Sequence, residues 1–291
     1  MEHKAGFVNI IGSPNVGKST LMNALVGEKL SIITSKAQTT RDRIMGIVNG
    51  DDFQVVYSDT PGIIKPGYML HESMMKSVNA AFTDADVILF MTDIHETTLK
   101  VSTIIPKLNK IKMPVLCLIN KIDLTEQEEV AKKIAYWQSQ LEKADIMVLS
   151  ALNNFNVEAV LEKVIEILPP SPPYFPKDQL TDKPERFFIA EIIREKIFER
   201  YKKEVPYSSA VVVESFKEEE KLIRIRAEII VERDTQKGII IGHQGKALKK
   251  IGTLARVKME RFLGKKVFLE LYVRVNKDWR KNDRALKNLG Y

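Results

Sequence analysis

Eight residues, Gly12-Ser13-Pro14-Asn15-Val16-Gly17-Lys18-Ser19, have the spacing GxxxxGK(S/T), and that spacing suits phosphate chemistry. Its glycines let the backbone curl until several N–H groups converge on phosphate oxygens, and the positive end of a following helix adds to the field. Lys18 then reaches the β- and γ-phosphates and Ser19 offers its hydroxyl to Mg2+. The motif works only between a strand and a helix. The apolar run Phe7–Ile11 and the helix-forming stretch Thr20–Leu25 supply both.

Three more polar groups stand at the ends of apolar runs. Asp59-Thr60-Pro61-Gly62 closes the period-two stretch Phe53–Ser58. A carboxylate at a strand tip faces bound phosphates, where an acid associated with Mg2+ must sit. Gly62 can bring a backbone N–H to the terminal phosphate with no side chain in the way. Asn120-Lys121-Ile122-Asp123 closes Val115–Ile119. The Asp123 carboxylate can accept hydrogen bonds from N1–H and the 2-amino group of guanine, whereas adenine would leave it unpaired. The Lys121 stem can lie over the base, and Ser150-Ala151, after Ile146–Leu149, can direct a backbone amide at guanine O6. In this order, each at a strand end, the motifs resemble those of the translation-factor-related GTPases.

The resemblance implies switch segments at Gln38-Thr39-Thr40-Arg41-Asp42 and at Asp59-Thr60-Pro61-Gly62-Ile63. It assigns Thr40, with Thr39 as the second choice, to completing the Mg2+ shell when GTP is bound. Ile63 stands where Ras-like proteins carry a water-orienting glutamine, and a sec-butyl group cannot orient water. Either hydrolysis is slow until a partner helps, or another group supplies the charge stabilisation. Asn15 resembles the asparagine that holds K+ in cation-dependent members of the class.

These motifs need a sheet. Strands are expected at 7–11, 44–48, 53–58, 86–92, 114–120 and 145–149, with helices at 18–27, 70–82, 98–110, 126–142 and 156–167. This alternation describes an α/β doubly wound, mostly parallel sheet. The lone cysteine, Cys117, sits in an apolar run, so no disulfide forms within the chain, and a reducing cytoplasm fits. No apolar run is long enough to span a bilayer, and Met1-Glu2-His3-Lys4 starts no secretory signal.

Charge divides the chain. The net +7 is the sum of −3 over residues 1–170 (17 Lys+Arg, 20 Asp+Glu) and +10 over residues 171–291 (28 and 18). The last 55 residues hold 15 basic and 4 acidic side chains, a footprint suited to nucleic acid. The proline-rich stretch 169–178 marks a stiff linker between domains at 1–168 and 179–291. The second domain opens with an amphipathic helix, 185–201, carrying Phe188, Ile192, Ile193, Ile197 and Phe198. Runs at 209–216 and 222–231 follow, then Ile239-Ile240-Ile241-Gly242-His243-Gln244-Gly245-Lys246, a strand at 266–275 and a basic tail at 277–287. A Gly-x-x-Gly turn between an isoleucine run and a basic helix matches the KH signature, in which the turn clamps a single-stranded RNA backbone. Ile240, Ile241, Gly242, His243, Gln244, Gly245, Lys246, Lys249 and Lys250 are the expected RNA contacts, with at least one isoleucine of the run in the core.

A GTPase followed by a smaller α+β type II KH domain resembles the Era family, the bacterial ribosome-assembly GTPases. The resemblance implies a monomeric GTP/GDP switch using Mg2+. It also implies binding near the 3′ end of 16S ribosomal RNA during 30S maturation, and peripheral association with the cytoplasmic face of the inner membrane. A membrane-surface GTPase with the KH fold as scaffold is the alternative.

Overall fold

The computed structural model describes residues 2–96 and 104–291. The part of the expected 98–110 helix before residue 104 lies outside the described residues. Two compact units emerge: Met1–Pro66 with Ser73–Asp182, and Gly67–Glu72 with Lys183–Tyr291.

In the first unit, β1 (Lys4–Gly12), β2 (Ile44–Asn49), β3 (Phe53–Asp59), β4 (Val87–Asp93), β5 (Val115–Asn120) and β6 (Asp145–Val148) form one sheet in the order β2-β3-β1-β4-β5-β6. Only the β2–β3 pair is antiparallel. Between the strands run α1 (Lys18–Val26), α2 (Met69–Ala80, of which residues 73–80 belong to this unit), α3 (Ile105–Lys110), α4 (Gln127–Gln140) and α5 (Val157–Ile167). β4 and β5 are apolar almost throughout and buried along nearly their whole length, as expected of strands covered on both faces. Because β1, β3, β4 and β5 are parallel, their C-terminal ends and the loops that follow gather on one edge.

The proline stretch, expected as a stiff linker between domains, packs onto the first unit. Gln54 is fully buried in β3, and its amide oxygen accepts hydrogen bonds from the N–H groups of Tyr174 and Phe175 (2.7 and 2.9 Å). Its Nε2 donates to Phe175 O at 2.8 Å. The ring of Tyr174 sits 4.9 Å from that of Phe7. Farther on, Ile47 N donates to Leu180 O and Met45 N to Asp182 Oδ1, so residues 180–182 extend the edge of β2. The first unit therefore continues to Asp182, and the division expected at 168–179 falls at 182/183. Gln54, the Phe7–Tyr174 ring contact and the pairing along the edge of β2 together hold this stretch to strands far away in sequence.

The second unit holds α6 (Glu185–Arg200), β7 (Ala210–Glu218), β8 (Leu222–Val231), α7 (Asp234–Ile241), α8 (Lys246–Leu263), β9 (Lys266–Val275) and α9 (Asp283–Asn288). Its sheet runs β7-β8-β9, antiparallel then parallel. Alternate residues of β8 (Ile223, Ile225, Ala227, Ile229) meet Ile189, Ile193 and Ile197 of α6 and Ile251, Ala255 and Met259 of α8 in one core. The expected basic tail is folded. Trp279 is fully buried and donates its indole N–H to Ser208 O at 3.0 Å, and Leu286 of α9 is buried too. The apolar groups at 279 and 286 anchor the segment that its charge marked as a basic tail.

Candidate functional site

The glycine loop between β1 and α1 is held from several sides. Gly17 has φ 106°, and a Cβ there would stand 2.2 Å from Asn120 Nδ2. Gly12 has φ 157°, and its Cβ would meet Met91 O at 2.0 Å. Asn15 adopts φ 64°, a left-handed conformation that asparagine tolerates. Ser13 and Val16 are buried, whereas Pro14, Asn15, Gly17, Lys18, Ser19 and Thr20 line a cavity of about 400 Å3.

Beside this cavity, which Ser19 and Thr40 line, the expected metal ligands converge. Ser19 Oγ lies 2.6 Å from Asp59 Oδ2 and 3.0 Å from Thr40 Oγ1, and Thr40 Oγ1 lies 3.4 Å from the same carboxylate oxygen. Thr39 is committed elsewhere: its hydroxyl donates to Lys36 O and contacts Thr34 Oγ1. Thr40 rather than Thr39 therefore faces the site. Asp59 is fully buried, and burial pushes its carboxyl above the ordinary range against the opposing pull of Lys18, Ser19 and Thr40. Its Oδ1 has no hydrogen-bond partner among the described residues. A buried carboxylate oxygen left unpaired beside two hydroxyls is an oxygen-only donor set, and it fits Mg2+.

Lys18 is buried at the cavity floor and donates to Ser13 O (2.9 Å) and Gly12 O (3.3 Å). Burial lowers its pKa to about 8, opposed by Asp59 and Glu96. A phosphate would replace two neutral carbonyl acceptors with a charged one, which stabilises the ammonium.

At Asp59-Thr60-Pro61-Gly62, Thr60 Oγ1 donates to Ile10 O at 2.7 Å, and a Cβ on Gly62 would press on Pro14 at 2.8 Å. Ile63 N donates to Gly12 O, while its side chain packs against the apolar core. Of the switch residues, Gln38, Thr39, Thr40 and Gly62 line the cavity. Arg41 is buried and Asp42 is only partly exposed.

Asp123, exposed in the turn Ile122–Leu124, lines the cavity with Lys121 and Ser150. Lys121 donates to Asn15 O (2.6 Å) and Asp93 Oδ2 (2.8 Å). Asn120, the first residue of the expected guanine-binding set, spends one of its two amide N–H donors and one oxygen lone pair on the protein, which leaves a second donor for a base. Nδ2 donates to Val16 O at 2.7 Å and Oδ1 accepts from Ala151 N at 2.9 Å. This side chain ties the glycine loop to the 150–152 loop. The Ala151 amide can reach guanine O6 only by sharing or exchanging that bond.

Sequence reasoning missed the apolar part of the wall, namely Ile32, Ile33, Leu124 and Leu152. The pair Ile32-Ile33 inside a polar stretch is a usable signal. Leu124 and Leu152 directly follow the two guanine motifs.

In the second unit, Gly242 and Gly245 take φ 70° and 74° at the two ends of the turn between α7 and α8. His243, Gln244, Lys246, Lys249 and Lys250 are all exposed. Ile240, expected at the RNA surface, is fully buried in the core, because the helical period of α7 turns it toward the sheet. Ile241 packs at the core margin, and Ile239, at 47% exposure, is the isoleucine that faces outward.

A family model described as 50S ribosome-binding GTPase matches residues 7–121, and a KH domain model matches residues 204–280. The chain is 47% identical to GTPase Era of Syntrophus aciditrophicus, over 99% of this chain and 95% of that protein. It is 48% identical to GTPase Era of Geobacter metallireducens, over 99% and 98%. The crystal structure of Era with MgGDPNP and nucleotides 1506–1542 of 16S ribosomal RNA matches with a TM-score of 0.96 at 39% identity, covering 99% of both chains. A variant of Aquifex aeolicus Era bound to GDP·AlF4− matches at 0.95, also with 39% identity and 99% coverage of both.

Proposed function

The chain belongs to the Era family of GTPases, and from that premise we propose a guanine-nucleotide switch that binds 16S ribosomal RNA near its 3′ end in small-subunit assembly. The observation that carries the nucleotide half is the meeting of Ser19, Thr40 and the buried Asp59 beside one cavity that Asp123 also lines. Catalysis of phosphoryl transfer is mostly positioning and charge stabilisation. Loop amides and Lys18 hold the phosphates, while Gly62, pressed against Pro14, keeps the turn after Asp59 close to the terminal phosphate. Ser19, Thr40 and Asp59, the last through water, would hold Mg2+, which when bound neutralises charge on the β- and γ-phosphates. Ile63, packed into the core, leaves the attacking water without a side-chain guide, so intrinsic turnover is low.

A potassium ion beside Asn15 would offset charge developing between the phosphates. The Asn15 amide donates to Ser35 O, three residues before the 38–42 switch segment, at 3.0 Å, so the placing of the chain ahead of that segment and cation binding draw on the same side chain. Replacing K+ by Na+ at constant ionic strength should slow turnover; equal rates in the two salts would remove the ion from the mechanism.

RNA binding belongs to the exposed turn 242–245 and the lysines of α8. Among the described residues no helix is long and apolar enough to cross a membrane. A cytoplasmic monomer with peripheral attachment at the inner membrane is the corresponding setting. The switch acts as a clamp if its GTP and GDP states differ in RNA affinity, because equal affinity shifts nothing. The test is a titration of labelled RNA spanning the 16S 3′ end, with GDP and then with a non-hydrolysable GTP analogue. A nucleotide-dependent affinity is expected. Tight but nucleotide-independent binding would keep the RNA assignment and discard the clamp, and no binding in either state would discard both.

A further inference from the structure

The second unit carries a concave polar site on the sheet face turned away from the Gly-x-x-Gly turn. The side of β8 marked by Ile223, Ile225 and Ile229 shares its core with α6, α7 and α8, so the turn between α7 and α8 belongs to that side. The alternate residues Arg224, Arg226, Glu228 and Ile230 face the other way, opposite Phe268, Glu270, Tyr272 and Arg274 of β9. Most of this second face is open to solvent, yet Ile230 is fully buried. Its cover is the folded C-terminal segment: α9 residues share a cavity of about 330 Å3 with Val212 and Ile230.

The polar wall of that cavity is formed by Arg274, Asn276, Asn282, Arg284 and Asn288, and among the described residues no carboxylate lines it. Arg274 is paired with Glu228 at 2.8 Å, and Asn282 Oδ1 accepts from Ala285 N. The Arg284 guanidinium and the Asn276 and Asn288 side-chain amides make no hydrogen bond or ion pair among the described residues. Two amides offering donor and acceptor side by side match the edge of an unpaired base, and a guanidinium matches a phosphate. Two residues before Arg274 on the same face, the ring of Tyr272 is 42% exposed, with the Arg226 guanidinium 4.5 Å over it. Exposed ring and guanidinium planes of this kind are where single-stranded bases stack. Residues 274–291 hold six basic side chains and two acidic ones, Asp278 and Asp283, so the field favours a polyanion.

We propose that this cavity binds a nucleotide of single-stranded RNA, as a second contact point on the opposite sheet face from the Gly-x-x-Gly turn. The inference rests on the RNA-binding reading above and adds to it: a strand long enough to pass from one face to the other is held at both.

Two RNAs separate the sites in the full-length protein. A four-nucleotide RNA occupies only a KH groove, whereas a strand matching nucleotides 1506–1542 of 16S RNA can reach both. The double variant Arg284→Glu/Asn288→Asp, exposed at both positions, should bind the long strand roughly tenfold more weakly and the short one unchanged. Asn276→Ala should weaken the long strand in the same direction. Photo-crosslinking with 4-thiouridine in the long strand should label the peptide containing residues 282–289. Unchanged long-strand affinity in both variants, or equal losses for short and long RNA, would overturn the second site. Wild-type protein that binds neither RNA would overturn the RNA reading itself, and this inference with it.

Discussion

Both units place a glycine loop ahead of a helix, Gly17 before α1 and Gly245 before α8, and both glycines have positive φ. Their surroundings are opposite. A Cβ at Gly17 would strike Asn120, which itself bonds Val16 and Ala151, whereas a Cβ at Gly245 would meet nothing within 4 Å. The first loop is fixed by tertiary contacts and offers buried, partly unsatisfied groups to a small ligand. The second projects exposed side chains past an open turn, which leaves room for a polymer backbone. Preorganisation concentrates binding energy in a few groups, and an open surface spreads it over many phosphate contacts. Single substitutions should therefore be severe in the first region and mild in the second.

The sharpest test of that contrast is Asp123→Asn. Loss of the carboxylate that pairs with guanine should weaken GTP binding about a hundredfold and transfer preference to xanthosine triphosphate, as read by competition binding. Retained GTP selectivity would remove Asp123 from base recognition.

Gly17→Ala and Gly245→Ala compare the loops directly. At Gly17 the added methyl must displace Asn120 as well as hold a left-handed backbone, so urea unfolding should show a loss of about 2–3 kcal/mol. At Gly245 only backbone strain remains, about 1 kcal/mol. Equal losses would mean that the Asn120 side chain imposes no constraint on the loop.

The buried ammonium of Lys18 gives a pH signature that the exposed lysines of α8 lack. Its folded-state pKa of about 8 lies below the ordinary lysine value of 10.5. Between those values the unfolded chain holds a proton that the folded chain has shed. Stability of the nucleotide-free protein should therefore rise across that window, by an amount on the order of 1 kcal/mol. Bound GDP places an anion beside the ammonium and should flatten the rise. Thermal unfolding from pH 7 to 11, with and without GDP, measures the difference.

The smallest effects belong to Lys246, Lys249 and Lys250. Each alanine variant should weaken RNA binding about two- to fivefold and lower the salt slope by about 0.7 for each phosphate that the side chain neutralises. A single lysine whose removal abolished binding would make the second region resemble the first.

Much of this was legible because the informative patterns are local. Strand alternation, helical periodicity and a glycine loop at a strand tip each occupy a dozen neighbouring residues, so β1 to β6, the order of the second unit's elements and the four polar strand ends could be read directly from the chain. The core position of at least one isoleucine was also within reach, since adjacent side chains in a helix point in different directions, whereas the preference for Thr40 over Thr39 came from the family resemblance.

The remainder depended on partners far apart in sequence. Gln54 holds Tyr174 and Phe175, and the edge of β2 bonds residues 180–182, so the first unit extends to Asp182. Trp279 donates to Ser208 and converts an expected basic tail into a fold with a cavity of its own. Asn120 sits within a guanine-reading motif and, with one amide donor still available, also joins the glycine loop to the 150–152 loop. The amino-acid sequence by itself determined which elements form and what chemistry the loops carry, because those follow from residue spacing. Only the tertiary structure decided which polar atoms are already satisfied and which are left for a ligand, because that depends on where the rest of the chain packs.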